Sequence, residues 1–175
     1  GRIVEKDVRA ASQSAPTPTP VAAPVTSGDD RLVALSRLRQ ITAQRTQQSK
    51  QQVPHFYVTV EVDVERIIAL RQMFEEEESG KVSINDFVVR ACTLALLDMP
   101  EVNATYEGDK VRQFAAVHMG IAAAVEDGLT VPVLRNAHLL GLRQISDRTR
   151  DLANRARENK LTLDELSGST FSISN

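Results

Sequence analysis

Two hydrophobic periodicities alternate along the chain after residue 30. In four segments the apolar residues recur every three or four positions, which is the spacing of one face of an α-helix. These predicted helices cover residues 30–50, 65–78, 85–97 and 142–159. The third is apolar on nearly all sides, so we expect it to be buried by its neighbours.

Other segments are short and apolar or alternate between apolar and polar residues, as β-strands do. The predicted strands are residues 56–64, 111–114, 116–125, 129–134 and 169–174. Asp127-Gly128 separates two of them and is typical of a tight turn. Pro132 lacks a backbone N–H and is therefore expected at an edge or a bulge. Thr162-Leu-Asp-Glu165 has the pattern of a capping box and predicts a short helix. Helices interleaved with a mixed set of strands predict an α/β sandwich.

The first 30 residues differ from the rest in composition. Four of the seven prolines lie in Ala15–Pro24, where alternating proline and small residues favour extended conformations and so predict a semi-rigid linker. We therefore divide the chain into residues 1–11, a linker over 12–30 and a folded domain over 31–175.

Length and composition narrow the functional classes. The chain has 175 residues, and its net charge of −2 provides no global positive field for nucleic acid or an anionic membrane. The single cysteine, Cys92, excludes an internal disulfide and a Cys-x-x-Cys motif, which favours a reducing compartment. Neither a membrane span nor a signal peptide is predicted.

Local motifs predict little chemistry. His55, His118 and His138 lack the spacing of a metal site, so each is interpreted as structural and no metal site is predicted. Cys92 lies in the most apolar predicted helix and is expected to be inert. The acidic run Glu75–Glu78 is interpreted as a solvated surface.

Longer motifs carry a more specific signal. In order along the chain, they closely resemble the catalytic domain of the dihydrolipoamide acyltransferases, the E2 components of 2-oxo acid dehydrogenase complexes. The matching segments are 35–50, 53–63, 83–91, 100–104, 127–137 and 170–175. Residues 1–8 resemble the end of that family's peripheral subunit-binding domain, and the proline-rich stretch resembles its interdomain linker.

The resemblance implies a fold and an activity. The fold is the two-layer α/β sandwich of chloramphenicol acetyltransferase, with a mixed sheet that is incomplete here at its C-terminal side. The activity is transfer of an acyl group, by default acetyl, between dihydrolipoyl lysine and coenzyme A. By the same resemblance Ser174 donates a hydrogen bond to the oxyanion, and Arg71 lies near the phosphates of coenzyme A.

Two parts of the family's machinery are not matched in this sequence. In the family the general base is the histidine of a His-x-x-x-Asp/Asn-Gly motif, and none of the three histidines here begins such a motif. The lipoyl domain is also unmatched, so the chain is expected to be a catalytically inactive fragment.

The resemblance also implies partners and a compartment. It implies homotrimers that build a larger core and contacts with E1 and E3 through the subunit-binding domain, with no nucleic acid or membrane. The compartment would be the cytoplasm of a bacterium or the mitochondrial matrix of a eukaryote. The alternative is a non-catalytic core or subunit-binding scaffold of the same fold.

Overall fold

A computed structural model describes residues 30–77, 80–126 and 128–175. The chain divides into two units, residues 1–34 and residues 35–175. In the first, the described residues 30–34 are exposed and form neither helix nor strand. The predictions for residues 1–11 and for nearly all of the linker lie outside the described residues.

Four α-helices confirm the four predicted helical segments. They are α1 (Arg37–Gln52), α2 (Glu65–Glu76), α3 (Ile84–Asp98) and α4 (Leu142–Arg157). Helix α1 begins later than predicted because Ser36 caps it, accepting a hydrogen bond from the backbone N–H of Arg39. Helix α3 begins with a reciprocal capping box between Ser83 and Asp86.

In residues 30–77, 80–126 and 128–175, seven short strands and two 3-10 helices make up the remaining regular structure. The strands are β1 (Ala104–Tyr106), β2 (Val111–Gln113), β3 (Met119–Ile121), β4 (Ala123–Val125), β5 (Gly128–Thr130), β6 (Val133–Leu134) and β7 (Phe171–Ile173). The 3-10 helices are Ala137–Leu139 and Asp164–Leu166. The second of them confirms the short helix predicted from the capping box at Thr162.

The mixed sheet is centred on β3. This strand pairs antiparallel with β6 and parallel with β7. Strands β4 and β5 form a hairpin, and β1 and β2 form another two-stranded sheet. Pro132 lies between β5 and β6, where its carbonyl accepts a hydrogen bond from Ile121 N at 2.9 Å and its missing donor interrupts no strand.

The core lies where α3 and α4 pack on the three-stranded sheet. Its buried side chains come from all of these elements and from the turn after β6: Val89, Leu96, Val117, Met119, Leu134, Ala137, Leu140, Ile145, Leu152 and Ile173. This arrangement of helices on a mixed sheet confirms the α/β prediction.

Two strand predictions are corrected. Residues 116–125 contain two strands in different sheets, separated by Ala122: β3 pairs with β6 and β7, whereas β4 pairs with β5. The strand predicted over 56–64 is wrong, since these residues pair with no other described segment. Apolar alternation favours a strand, but a strand needs a neighbour for its backbone hydrogen bonds. Five apolar side chains of this segment remain 68–86 % exposed: Phe56, Tyr57, Val58, Val60 and Val62.

Candidate functional site

Ser174 follows directly after β7 and is exposed. The carbonyl of the preceding residue, Ile173, accepts a hydrogen bond from Ala122 N at 2.9 Å. The parallel register places Gly120 beside Ser172 and Ile121 beside Ile173. The position of Ser174 therefore depends directly on how closely β7 packs on β3.

Gly120 allows that close packing. A Cβ atom at this position would lie 2.8 Å from Ser172 Oγ and 2.9 Å from Val131 Cγ1. Both distances are shorter than ordinary van der Waals contacts, so any side chain here would displace the neighbouring strand segments. The backbone of β3 therefore supports the site through the absence of a side chain.

Two arginines hold the loop that leads into β7. Arg155 donates from both terminal nitrogens to Glu165, at 2.8 and 2.6 Å, and this pairing lowers the pKa of Glu165 to about 2. Arg135 donates to the carbonyls of Asp164 and Ser167, at 2.8 and 3.0 Å. Because these bonds fix the loop to α4 and to the end of β6, they also fix the start of β7.

A cavity of about 520 Å³ opens beside this strand region. Residues 121–124 form one wall, and the remaining walls come from α2, the start of α3 and one face of α4. Ser174 does not line the cavity. Ala122, which does, donates a hydrogen bond to the carbonyl of Ile173, the residue before Ser174. We call this space the basic cavity, because cations outnumber acids among its lining residues.

Four cationic side chains line the basic cavity, namely Arg71, Lys81, Arg150 and Arg157. Two acids line it, Glu75 and Asp86. The cavity thus carries an excess of positive charge in a chain whose net charge is −2. Such a concave site favours an anionic ligand.

Arg71 lies at the cavity wall on α2. Its Nε is buried without a hydrogen-bond partner, and the nearest acid is Glu75, whose Oε1 lies 3.7 Å away. Asn85 Oδ1, on the same cavity, is also buried without a partner. A buried polar atom without a partner is costly, so a polar ligand in the cavity would satisfy groups that the protein leaves open.

Asp86 is 4 % exposed, and its carboxylate is held by neutral donors. It accepts from Ser83 N and Ser83 Oγ, both at 2.7 Å, and from Thr149 Oγ1 at 2.9 Å. These bonds connect the start of α3 to α4 across the cavity. Asp86 thereby acts as a structural brace rather than as a free base.

Arg150 projects from α4 toward the loop before α3. It donates to the carbonyl of Lys81 at 2.5 Å and to Ser146 Oγ at 3.3 Å. Its acidic neighbour is the exposed Asp147, with Oδ1 at 3.6 Å. The ammonium group of Lys81 has no acidic partner in the part of the chain that the structure describes. Two cations therefore lie together on this wall.

His118 and His138 each accept a hydrogen bond from the backbone of the segment that carries the other histidine. Asn136 N donates to His118 Nδ1 at 3.0 Å, and Val117 N donates to His138 Nδ1 at 3.3 Å. Burial and the nearby Arg135 lower the pKa of His118. Because each Nδ1 accepts from a backbone N–H, each ring supports a neighbouring segment of the main chain. This agrees with the structural role predicted for both residues.

The other candidates behave as the sequence predicts. His55 is exposed and lies beside Lys50 and Tyr57. Cys92 packs against the core, and its burial raises its pKa, as expected for an inert thiol. Glu75, Glu76 and Glu77 are exposed, and Glu78 lies outside the described residues. Within residues 30–77, 80–126 and 128–175, no cluster of His, Cys, Asp and Glu could hold a metal ion, and no helix could span a membrane.

The resemblance implies roles for Arg71, which lines the basic cavity, and for Ser174, which does not; the other cations of the cavity are not predicted from the sequence. Lys81, Arg150 and Arg157 were not recognised, because exposed basic residues are common and their convergence is a tertiary feature. One usable signal was present: Ser146, Ala153 and Arg157 recur at spacings of four and seven, the period of one helix face.

Comparison with known proteins identifies close relatives. The family model described as 2-oxoacid dehydrogenases acyltransferase (catalytic domain) matches residues 27–175. The dihydrolipoyllysine-residue acetyltransferase component of the mitochondrial pyruvate dehydrogenase complex of Schizosaccharomyces pombe is 44% identical over 176 residues. That alignment covers 99% of this chain but 36% of the relative, so the chain spans about a third of its length.

Solved structures show the same fold. The dihydrolipoamide acetyltransferase of Azotobacter vinelandii matches with a TM-score of 0.80 and 30% identity, over 90% of this chain and 67% of that one. Its crystallographic and enzymatic study concerns the role of one serine, one histidine and one asparagine in its catalytic mechanism. The cubic core of the pyruvate dehydrogenase multienzyme complex matches with the same TM-score, identity and coverage.

Proposed function

The chain belongs to the family of 2-oxoacid dehydrogenase acyltransferase catalytic domains, and from this premise we propose that the protein transfers acetyl groups between a dihydrolipoyl lysine and coenzyme A. The curated relatives are acetyltransferase components of pyruvate dehydrogenase complexes, which supports acetyl as the acyl group. Because the chain spans about a third of the first relative, the activity is proposed for the protein to which these residues belong.

The observation that carries this proposal is the basic cavity beside the β3–β7 pair. Coenzyme A is an elongated ligand with several phosphate charges at one end and a thiol at the other. A cavity with four cations would hold the phosphates, while its strand wall adjoins the residue preceding Ser174.

We propose that the Ser174 hydroxyl donates a hydrogen bond to the oxyanion of the tetrahedral intermediate. Negative charge develops on the carbonyl oxygen as the thiol attacks, so a prepositioned donor stabilises the transition state more than the substrate. Ser174 suits this role because it is exposed at the end of a strand whose start is anchored by Arg135 and Arg155. The serine in the mechanistic study of the Azotobacter relative supports this assignment.

We propose that Arg71 binds a phosphate of coenzyme A. Its guanidinium lies on the cavity wall, and the lack of a hydrogen-bond partner at Nε leaves a donor available. The nearby Glu75 moderates its charge. A bidentate contact from Arg71 to a phosphate would satisfy the open donor.

The general base is proposed to lie outside this sequence. None of the three histidines begins a His-x-x-x-Asp/Asn-Gly motif. The Nδ1 atoms of His118 and His138 accept hydrogen bonds from backbone N–H groups. We therefore expect the 175-residue polypeptide alone to show no turnover. The alternative of a non-catalytic scaffold predicts that the complete gene encodes no such motif, so its sequence beyond Asn175 separates the two hypotheses.

The proposal extends to partners and compartment. A homotrimer within a larger core is supported by the similarity to the cubic pyruvate dehydrogenase core. Contacts with E1 and E3 and a lipoyl group would come through domains flanking the catalytic one. The relatives include mitochondrial and bacterial proteins, so we propose the mitochondrial matrix or the bacterial cytoplasm according to the source.

The test is an assay of acetyl transfer from acetyl-CoA to dihydrolipoamide by the protein expressed from its complete gene. Replacing Ser174→Ala should lower kcat by about 100-fold or more, because an oxyanion donor is lost. Ser169→Ala, at an exposed serine just before β7, is the matched control and should retain activity. Equal kcat values for Ser174→Ala and the wild type would contradict the role of Ser174.

A further inference from the structure

Three exposed side chains at and just after the end of α1 form a cluster that the proposed acetyl transfer does not use. Lys50 lies in the last turn of the helix, and its Nζ lies 3.1 Å from His55 Nε2. Nζ also donates to the hydroxyl oxygen of Tyr57 and lies 5.1 Å from the centre of that ring. The rings of His55 and Tyr57 meet edge to face, with centroids 5.7 Å apart. The amine is thus held against an imidazole at the protein surface.

The ring of His55 is oriented for proton transfer. Its Nδ1 lies 3.2 Å from the carbonyl oxygen of Val53. Because a carbonyl oxygen only accepts, Nδ1 carries a proton and donates it to Val53. Nε2 then faces Lys50, and the hydrogen bond between these two nitrogens contains one proton that either of them can hold. Transfer of that proton to Nε2 leaves a neutral amine at Lys50.

A lysine needs such a base before it can react as a nucleophile. Its ammonium group has no lone pair, and in the last turn of a helix the macrodipole further stabilises the cation. A nucleophile beside a base that a third group orients is a recurrent arrangement in covalent chemistry. Here Lys50 is the nucleophile, His55 is the base, and the carbonyl of Val53 orients the base.

Lys50 differs in this respect from other lysines of the chain. In the part of the chain that the structure describes, its contact with His55 is the one contact between a lysine Nζ and an imidazole. Lys160 instead forms an ion pair with Glu158 at 2.8 Å, which holds the ammonium form. Lys110 is exposed, like Lys50, and has no imidazole beside it among the described residues. These two lysines therefore provide internal references for the reactivity of Lys50.

We propose that Lys50 is a modification site, at which the amine takes an acetyl group from an acetyl thioester. His55 accepts one proton from Nζ, and Nζ then attacks the carbonyl carbon of the thioester. The C–N bond forms, the C–S bond breaks, and the thiolate leaves with the bonding electrons. His55 gives its proton to the thiolate, and a second proton passes from Nζ to water. The product is an uncharged acetamide, so the reaction removes a positive charge from the end of α1.

This inference goes beyond the proposed function, because neither the basic cavity nor Ser174 takes part. The experiment treats the protein expressed from its complete gene with S-acetyl-N-acetylcysteamine, an acetyl thioester without a nucleotide. Digestion with a protease that does not cleave at lysine, followed by mass spectrometry, gives the acetylation rate at each lysine. Lys50 should react at least about tenfold faster than Lys110, since a positioned base typically contributes about 100-fold. Similar rates at Lys50 and Lys110 would overturn the inference.

His55→Gln separates proton transfer from hydrogen bonding, because an amide can bond to Lys50 but cannot take its proton. The rate at Lys50 should fall to that of Lys110. Tyr57→Phe is the matched control, since it removes one hydrogen bond of Lys50 and leaves the imidazole in place, and it should keep most of the preference. The rates at Lys110 and Lys160 should be the same in all three proteins. Fast acetylation of Lys50 in His55→Gln, or an equal loss in Tyr57→Phe, would contradict the role of His55 as the base.

Discussion

Two regions of the molecule present the same apolar alternation to different effect. In β3 and β7, Met119 and Ile173 are buried and the strands hydrogen-bond to each other. In residues 56–62, alternate valines are equally suited to a strand but stay exposed and pair with no described segment. Apolar alternation thus shows that a segment is suited to a β-strand, and a neighbouring strand decides whether the β-strand forms.

The two regions also differ in how much their side chains contribute to the free energy of unfolding. Side chains of the three-stranded sheet pack in the core with the helices, so shortening one leaves a cavity that the surrounding structure fills only partly. Side chains of residues 56–62 lose little when shortened, because water already surrounds them.

The core prediction uses two methionines. Met119 is 0% exposed and Met73 is 54% exposed. Met119→Ala should lower the free energy of unfolding by about 2–5 kcal/mol, because it creates a buried cavity. Met73→Ala should change it by less than about 0.5 kcal/mol. Denaturant titration of both variants checks this, and similar midpoints would show that β3 does not form the core.

The strand contact is tested at Gly120. Gly120→Ala should cost about 1–3 kcal/mol, because the new Cβ would overlap Ser172 Oγ and Val131 Cγ1. It should also lower kcat of acetyl transfer, since a displaced β7 misplaces Ser174.

Ala124→Ser, which adds one heavy atom to an exposed position of β4, should change the free energy of unfolding by less than about 0.5 kcal/mol. Equal stabilities for Gly120→Ala and Ala124→Ser would mean that β3 and β7 are not closely packed.

Much of the fold follows from local chemistry, and the remainder depends on tertiary pairing. The helices are predictable because their apolar periods are long, although the cap at Ser36 starts α1 later than the periodicity predicts. The division of residues 116–125 into two strands is not predictable, because Ala122 is as apolar and small as its neighbours and only the change of pairing partner, from β6 and β7 to β5, separates β3 from β4.

The candidate site also depends on tertiary contacts. The resemblance gives Ser174 from the Phe-x-Ile-Ser motif and Arg71 from its matching helix position, and the roles of both stay predictions. Lys81 and Arg150 lie 69 residues apart and meet only through a hydrogen bond between the arginine and a backbone carbonyl. No local pattern encodes that contact.

Low pH should have a smaller effect on stability, through His118 just before β3. His118 accepts a backbone N–H in its neutral form, and its pKa is lowered by burial and by Arg135 and His138, with Asp164 opposing. A lowered histidine pKa means that the unfolded chain binds the proton more readily. The contribution of His118 to stability should therefore be fully present above the ordinary histidine pKa of about 6.5. It should be lost as pH falls from there through the lowered pKa of the folded state.

His118→Asn tests this dependence, because the amide oxygen can replace Nδ1 as an acceptor without titrating. The melting temperature of the wild type should fall more steeply between pH 7.5 and 5 than that of the variant. His55→Asn, at an exposed histidine, should leave the steep dependence unchanged. If His118→Asn retains the wild-type slope, another group is responsible for the acid sensitivity.

The smallest effect on stability is expected in residues 56–62, where the consequence is intermolecular. Threonine keeps the branched shape of valine but replaces a methyl by a hydroxyl. Each of the substitutions Val58→Thr, Val60→Thr and Val62→Thr should therefore change the unfolding free energy of the 175-residue polypeptide by less than about 0.5 kcal/mol.

The exposed valines of residues 56–62, with their unpaired backbone, should nevertheless make the wild-type polypeptide self-associate when expressed alone. Light scattering over a concentration series should show a lower apparent mass for the triple variant. The same substitution at the buried Val117 should instead lower the free energy of unfolding by about 1–3 kcal/mol, since it places an unpartnered hydroxyl in the core. A sharp cooperative melt from a wild-type monomer would contradict the prediction and mean that these valines are covered in solution.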